Sequence, residues 1–286
     1  MNKRIFALLL AAVLVLALTG CAKKEHSEGK PKADLLATTQ PVYQLTCALT
    51  DGTGLSVGLL ISESVSCLHD YTLTVSQMEM IEQSGLVLES GLGLENFMED
   101  VLRGKTRIDI SRNLDTLPGE DGADPHWWLD PMRYKQAAAL AAQELGAQYP
   151  EFSDQISENL AAFCEKLSSL QDYGEQALSN LSCRQLVTFH DGFSYFADAF
   201  SLTIAAAMEV ESGSEPSAKE LEEIISIVEE NQIPAVFTEV NGETGAAEVV
   251  AGEAGCAVRT LDMAISNRDY FAAMRQNIDI VKEALG

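Results

Sequence analysis

From residue 33 onward the apolar positions alternate between two periods. Short apolar runs at 33–38, 55–61, 85–88 and 107–110 read as strands, bounded by polar or glycine-containing segments. Between them, residues 41–49, 74–83 and 95–102 carry apolar side chains at helical spacing. Val75, Met78 and Ile81 share one side of the second helix. After residue 182 the alternation restarts. Strands are predicted at 185–189, 202–207, 235–238 and 257–261, and helices at 193–200, 217–231, 245–255 and 270–285. The helix at 217–231 places Leu221, Ile224, Ile225 and Val228 inward. Strands alternating with helices argue for parallel βα units, so the fold class is α/β with two similar lobes.

Two further helices stand out, one closing the first lobe and one between the lobes. Asp130-Pro131 opens the first, because Asp caps and Pro suits the first turn. An alanine-rich stretch at 137–142 favours its interior, and Gly146 is the expected end. The second starts near Ser153, with Ile156, Leu160, Phe163, Leu167, Leu170 and Ala177 forming a narrow apolar stripe. At 1.5 Å per residue, about 25 residues span roughly 38 Å. That length fits a brace between two lobes and equally an ordinary surface helix.

The first 32 residues follow a different pattern. Lys3 and Arg4 precede an apolar run at 6–18 that is short for a bilayer span. Leu18-Thr19-Gly20-Cys21 then resembles a bacterial lipobox, in which the signal is cleaved before a cysteine that becomes acylated. Residues 1–20 read as a lipoprotein signal peptide and Cys21 as the lipidation site. Residues 21–32 are polar and aperiodic, a flexible tether. One acyl chain binds a membrane only marginally, so lasting attachment needs several on Cys21. The expected location is the extracytoplasmic face of the cell membrane, through that lipid. The remaining boundaries are an N-terminal lobe at 33–150, a linking helix at 151–181 and a C-terminal lobe at 182–286.

Composition narrows the function. Apolar residues make up 47% and charged residues 22%, enough to bury a core. The 43 acidic against 19 basic residues give a net charge of −24, which repels phosphate backbones and argues against a nucleic-acid partner. Beyond Cys21 there are five cysteines, Cys47, Cys67, Cys164, Cys183 and Cys256, an odd number without a CxxC pair. A cysteine zinc site is therefore not expected, and the thiols suit small core positions.

Only four histidines occur. His26 lies in the tether. His69, His126 and His190 each fall in a predicted loop, and His190 sits directly between a strand and a helix. In open α/β sheets, ligands bind beyond the carboxyl ends of the strands. Two acids occupy such places in the second lobe, Glu239 and Asp262. Three imidazoles and one carboxylate complete a four-coordinate zinc site.

These residues resemble the metal-binding lipoproteins that deliver zinc or manganese to bacterial ABC importers. The resemblance runs from about Leu35 to the C-terminus. It rests on Asp124-Pro125-His126-Trp127-Trp128-Leu129-Asp130-Pro131, close to the family's DPHxWLDP, and on Phe189-His190-Asp191-Gly192-Phe193-Ser194-Tyr195-Phe196, close to its FHDAFxYF. His69-Asp70-Tyr71 matches HDYxPT more loosely. Glu215-Pro216-Ser217, Phe237-Thr238-Glu239, and Asp262 followed by residues 267–279 match further landmarks. The resemblance implies two α/β lobes joined by one long rigid helix, with the metal in the cleft between them. It carries His69 and His126 over as ligands from the first lobe and His190 from the second. The family fills the fourth position with a carboxylate near Asp262 or leaves it to water; Asp262 is the expected ligand here, with Glu239 as a supporting or alternative one. Cys67-Leu68 stands where the family usually has Glu-Pro, and residues 96–123 lack the His-rich loop of many zinc-specific members.

Nitrogen-rich ligands favour zinc, with manganese as the alternative. The implied function is capture of one divalent ion, as a monomer, for an ABC permease and its ATPase. An enzyme is not expected. A zinc hydrolase would need an open metal position and a general base, and no HExxH is present. A surface adhesin is the other alternative. Three histidines of unperturbed pKa about 6.5 would make affinity fall steeply below roughly pH 6. Trp127 and Trp128 adjoin His126, so their emission is expected to respond to the metal.

Overall fold

The computed structural model describes residues 33–62, 71–119, 122–208, 216–240 and 242–286. The expected signal peptide, the tether with Cys21, and the segment with Cys67 and His69 lie outside these residues. In the first lobe, strands β1 (Ala33–Ala37), β2 (Val57–Leu59), β3 (Ser84–Glu89) and β4 (Arg107–Asp109) form a parallel sheet of order β2-β1-β3-β4. Helices α1 (Gln40–Leu49), α2 (Val75–Glu82) and α3 (Glu99–Leu102) connect or flank them. A short antiparallel pair, β5 (Pro118–Gly119) and β6 (Gly122–Ala123), precedes the His126 loop. In the second lobe, β7 (Gln185–Thr188), β8 (Thr203–Ala207), β9 (Ala235–Glu239) and β10 (Ala257–Leu261) run parallel in the order β10-β9-β7-β8. Their helices are α6 (Ser194–Ala199), α7 (Ala218–Glu230), α8 (Gly245–Ala254) and α9 (Tyr270–Leu285). Strand order reverses between β1 and β3 in one sheet and between β7 and β9 in the other, so each lobe has a switch-point crevice.

Helices α4 (Pro131–Gln148) and α5 (Ser153–Ala177) join the lobes. Asp130 caps α4 by accepting the N–H groups of Met132 and Arg133, and Pro131 fills its first position. The 25-residue α5 packs against α4, α1 and α9. It buries Ile156, Phe163, Leu167 and Leu170, while Leu160 and Ala177 are half-buried. At Gly174 a Cβ would come within 2.2 Å of the Phe200 ring, so the glycine lets a second-lobe aromatic lie on the helix. One apolar cluster runs through both lobes, including Leu35, Tyr134, Leu167, Phe196, Phe237 and Tyr270. The long helix is therefore a brace within a shared core. Among the described residues no helix is long and apolar enough to cross a membrane.

Three local expectations change. Gly146 does not end α4, which continues to Gln148 because an interior glycine costs only about 1 kcal/mol. The stop is Tyr149, whose backbone leaves the helical region (φ −127°, ψ 70°) because the following Pro150 disfavours it. In α2 the buried face carries Gln77 and Ile81, while Val75 and Met78 are exposed. The Gln77 amide turns the helix by donating to the Leu60 carbonyl at 3.0 Å and the Tyr71 hydroxyl at 2.7 Å. The segment at 95–102 splits into a 3-10 turn, Asn96–Met98, and the short α3, because the Glu95 carboxylate is drawn back to the N–H groups of Ser90 and Gly91.

Candidate metal centre

His190 stands where β7 gives way to a turn. The Phe189 N–H still donates to the Phe237 carbonyl at 2.9 Å, and β7 and β9 share a single register pair, Thr188 with Phe237. Past that pair the strands meet the switch-point crevice, and His190 lies at its mouth. The adjacent turn needs a glycine. A Cβ at Gly192 would lie 2.4 Å from the Met263 methyl and 2.9 Å from His190 Nε2, so both groups flank one point.

His126 comes from the first lobe, just before the 3-10 turn Trp127–Leu129. Asp124 fixes it twice: one carboxylate oxygen accepts the His126 backbone N–H and its Nδ1–H, both at 2.8 Å. With Nδ1 occupied as a donor, Nε2 keeps its lone pair for a metal, and such a carboxylate fixes the orientation of the ring. Asp124 is buried, and its carbonyl accepts the Tyr195 hydroxyl at 3.0 Å across the lobes. Asp124 is a functional residue that the motif alone does not single out. The signal was its spacing, two residues before a loop histidine.

The two imidazoles meet edge to face, 5.3 Å between centroids and 83° between planes. His190 Nε2 is buried and has no hydrogen-bond partner among the described residues. Burial pushes His190 down to about 4; the His126 imidazole adds to this and the Asp124 carboxylate opposes it. It is thus neutral at physiological pH, the form that binds metals.

The two candidate carboxylates differ. Asp262, just past β10, is buried and firmly held. Its Oδ1 accepts the Ala264 N–H at 2.8 Å and its Oδ2 accepts the Ser266 hydroxyl at 3.1 Å. Its backbone exchanges two hydrogen bonds with the side chain of the fully buried Asn277. An ionised carboxylate offers about four acceptor sites, so each oxygen keeps a lone pair that can meet a cation. Glu239 ends β9, opposite Leu261 in β10. Its Oε2 is buried without a partner among the described residues, and burial pushes the carboxyl up to about 7. Thr188 Oγ1, in β7, is likewise buried without a partner among the described residues.

The structure therefore brings His126 and His190 together, and places Glu239 and Asp262 at the carboxyl ends of neighbouring strands. His69 lies outside the described residues. Among the described residues, no three His, Cys, Asp or Glu side chains gather into one metal-holding group. Cys47, Cys164, Cys183 and Cys256 are free thiols at half-buried positions. Trp127 and Trp128 are both buried, and the Trp128 ring lies 5.5 Å from that of His126.

Comparison with known proteins follows the same outline. Residues 35–284 match the family described as zinc-uptake complex component A, periplasmic (ZnuA). The zinc-binding lipoprotein AdcA of Streptococcus pneumoniae (strain ATCC BAA-255 / R6) is 27% identical over 306 aligned positions, covering 97% of this chain and 60% of AdcA. The chain thus spans about 60% of the length of that relative. The manganese-binding lipoprotein MntA of Halalkalibacterium halodurans is 24% identical, covering 65% of each chain. Among solved structures, a zinc-bound ZnuA lacking residues 138–173 superposes with a TM-score of 0.80 at 29% identity, over 89% of this chain and 98% of that one. The zinc-bound ZnuA-like domain of Streptococcus pneumoniae AdcA gives 0.77 at 26% identity, over 89% and 99%.

Proposed function

Since the chain belongs to the zinc-uptake complex component A family, we propose that it captures one divalent metal ion, zinc in preference to manganese, and delivers it to an ABC importer. The observation that carries this reading is the His126–His190 pair, one imidazole from each lobe, with a buried Nε2 on His190 that has no partner among the described residues. A neutral nitrogen kept out of water without a partner is costly unless a ligand completes it. The chain's residues then divide the work. Asp124 holds His126 in the tautomer that leaves Nε2 open. Burial keeps His190 unprotonated. Asp262, gripped by Ala264, Ser266 and Asn277, supplies an oxygen from a fixed direction, and His69 adds a third imidazole from the first lobe. Glu239 supports the second-lobe side of the site and is the alternative ligand.

The metal is the cargo, and no bond of a substrate is made or broken. We read the chain as a non-enzymatic transport component whose partners are the metal ion and a permease with its ATPase. Residues 33–150 and 182–286 are the two lobes, with 151–181 between them. Cys21 attaches the protein, a monomer, to the outer face of the cell membrane through lipid. The test is metal analysis of the chain purified without added metal, followed by zinc and manganese competition. The expected result is one ion per chain and tighter binding of zinc. No binding of either ion overturns the reading.

A further inference from the structure

Resting on that reading, we infer that Trp128 is a positioning residue: with Met263 it forms a clasp across the lobes that sets the placement of the metal ligands relative to one another. The indole Nε1–H of Trp128 donates to the Met263 carbonyl at 2.8 Å, from the first lobe to the second. The Trp128 carbonyl in turn accepts the Tyr270 hydroxyl at 2.8 Å. Both indole and phenol are buried, so each bond is made away from water. On its own side of the cleft Trp128 meets His126 edge to face at 5.5 Å. On the other side, Met263 directly follows Asp262 in the chain, and its methyl flanks the same point at Gly192 as His190 Nε2. Two residues therefore touch or adjoin one ligand of the first lobe and two of the second.

The backbone beyond the clasp supports this. Ala264 has φ +56°, a left-handed conformation unfavourable for alanine. Such a residue persists only where its surroundings over-determine it. Here the Ala264 N–H is held by Asp262 Oδ1, while the neighbouring Met263 carbonyl is held by Trp128. The bend that turns the Asp262 carboxylate is thus fixed from the first lobe. Trp127 makes a useful contrast. It is as deeply buried, but its indole donates to the Ser90 carbonyl within its own lobe. It belongs to the apolar core, and its hydrogen bond stays within the first lobe.

The test compares Trp128→Phe, Tyr270→Phe and Trp127→Phe in the whole chain. Zinc affinity is read by chelator competition, and geometry by the visible spectrum of bound cobalt(II). Trp128→Phe keeps a ring and loses the donor. It is expected to weaken zinc by about 10–100-fold, the usual effect of losing a group that orients ligands, and to shift the cobalt bands. Tyr270→Phe, a milder cut at the same clasp, is expected to shift both in the same direction by a smaller amount. It carries the test if Trp128→Phe does not fold. Trp127→Phe is expected to keep affinity within about twofold and leave the cobalt spectrum native. The clasp is overturned if the folded Trp128 and Tyr270 variants bind zinc like the native chain with unchanged spectra. It is also overturned if Trp127→Phe matches Trp128→Phe in both readouts. If the native chain binds neither zinc nor cobalt, the metal-capture reading itself fails and the clasp falls with it.

Discussion

At the scale of single residues, the site is governed by which nitrogen or oxygen is left open. Asp124 decides this for His126 by taking Nδ1–H. Asp124→Asn keeps the shape and weakens the acceptor, and it is expected to lower zinc affinity by about 10–100-fold with little change in secondary structure. An unchanged zinc isotherm would contradict the orienting role. Proton linkage separates the other two groups. His190 is neutral in the folded chain down to about 4. Its contribution to stability is complete above the unfolded value of about 6.5 and is lost as pH falls toward 4. Glu239, raised to about 7, acts in the opposite sense. Its contribution is complete below its unfolded pKa and lost as pH rises through 7. At about 1.4 kcal/mol per pKa unit, its charge costs the metal-free chain roughly 3 kcal/mol at pH 8. Glu239→Gln should therefore raise metal-free stability at pH 8 and change it little at pH 4.5, measured by urea unfolding. The same gain at both pH values would contradict the assigned cause. His190 also revises the expected acid profile. It does not compete with protons near pH 6, so affinity should fall with a slope of at most two imidazole protons, not three. Calorimetry in buffers of different ionisation enthalpy reads that count.

At the scale of elements, apolar periodicity carried most of the architecture. The 33–38, 185–189 and 257–261 runs are strands within a residue or so of their expected limits, and the stripe from Ile156 to Ala177 is one unbroken helix. Two of the three failures have a polar cause that periodicity ignores. Gln77 out-competes Val75 and Met78 for the inward face because its amide has two acceptors waiting beneath the helix. Glu95 breaks its helix by satisfying Thr38, Ser90 and Gly91 from a buried position. The site was half legible. His126 and His190 stood out as loop histidines, whereas the grip of Ser266 and Asn277 on Asp262 needs three-dimensional packing to be seen. The brace role of α5 is testable by Leu167→Ala, a fully buried position in the shared core. The expected loss is about 2–5 kcal/mol in a single cooperative transition, because both lobes share that core. Two separate transitions would show that the lobes fold independently of the helix.

At the scale of the whole molecule, each of the two parallel sheets carries its own switch point, and a continuous core through both lobes limits how far they can move apart. The metal is expected to complete the molecule more than remodel it. A ligand bound only by the folded state adds about 4 kcal/mol at 1,000 times its Kd, so zinc should raise the melting temperature and a chelator should reverse the rise. The measurement that bears most directly on the central claim is zinc K-edge X-ray absorption of the one-to-one complex at neutral pH. The account predicts a four-coordinate zinc showing multiple scattering from three imidazoles, with the remaining ligand a carboxylate oxygen. A zinc surrounded by oxygen alone, without imidazole scattering, would contradict it.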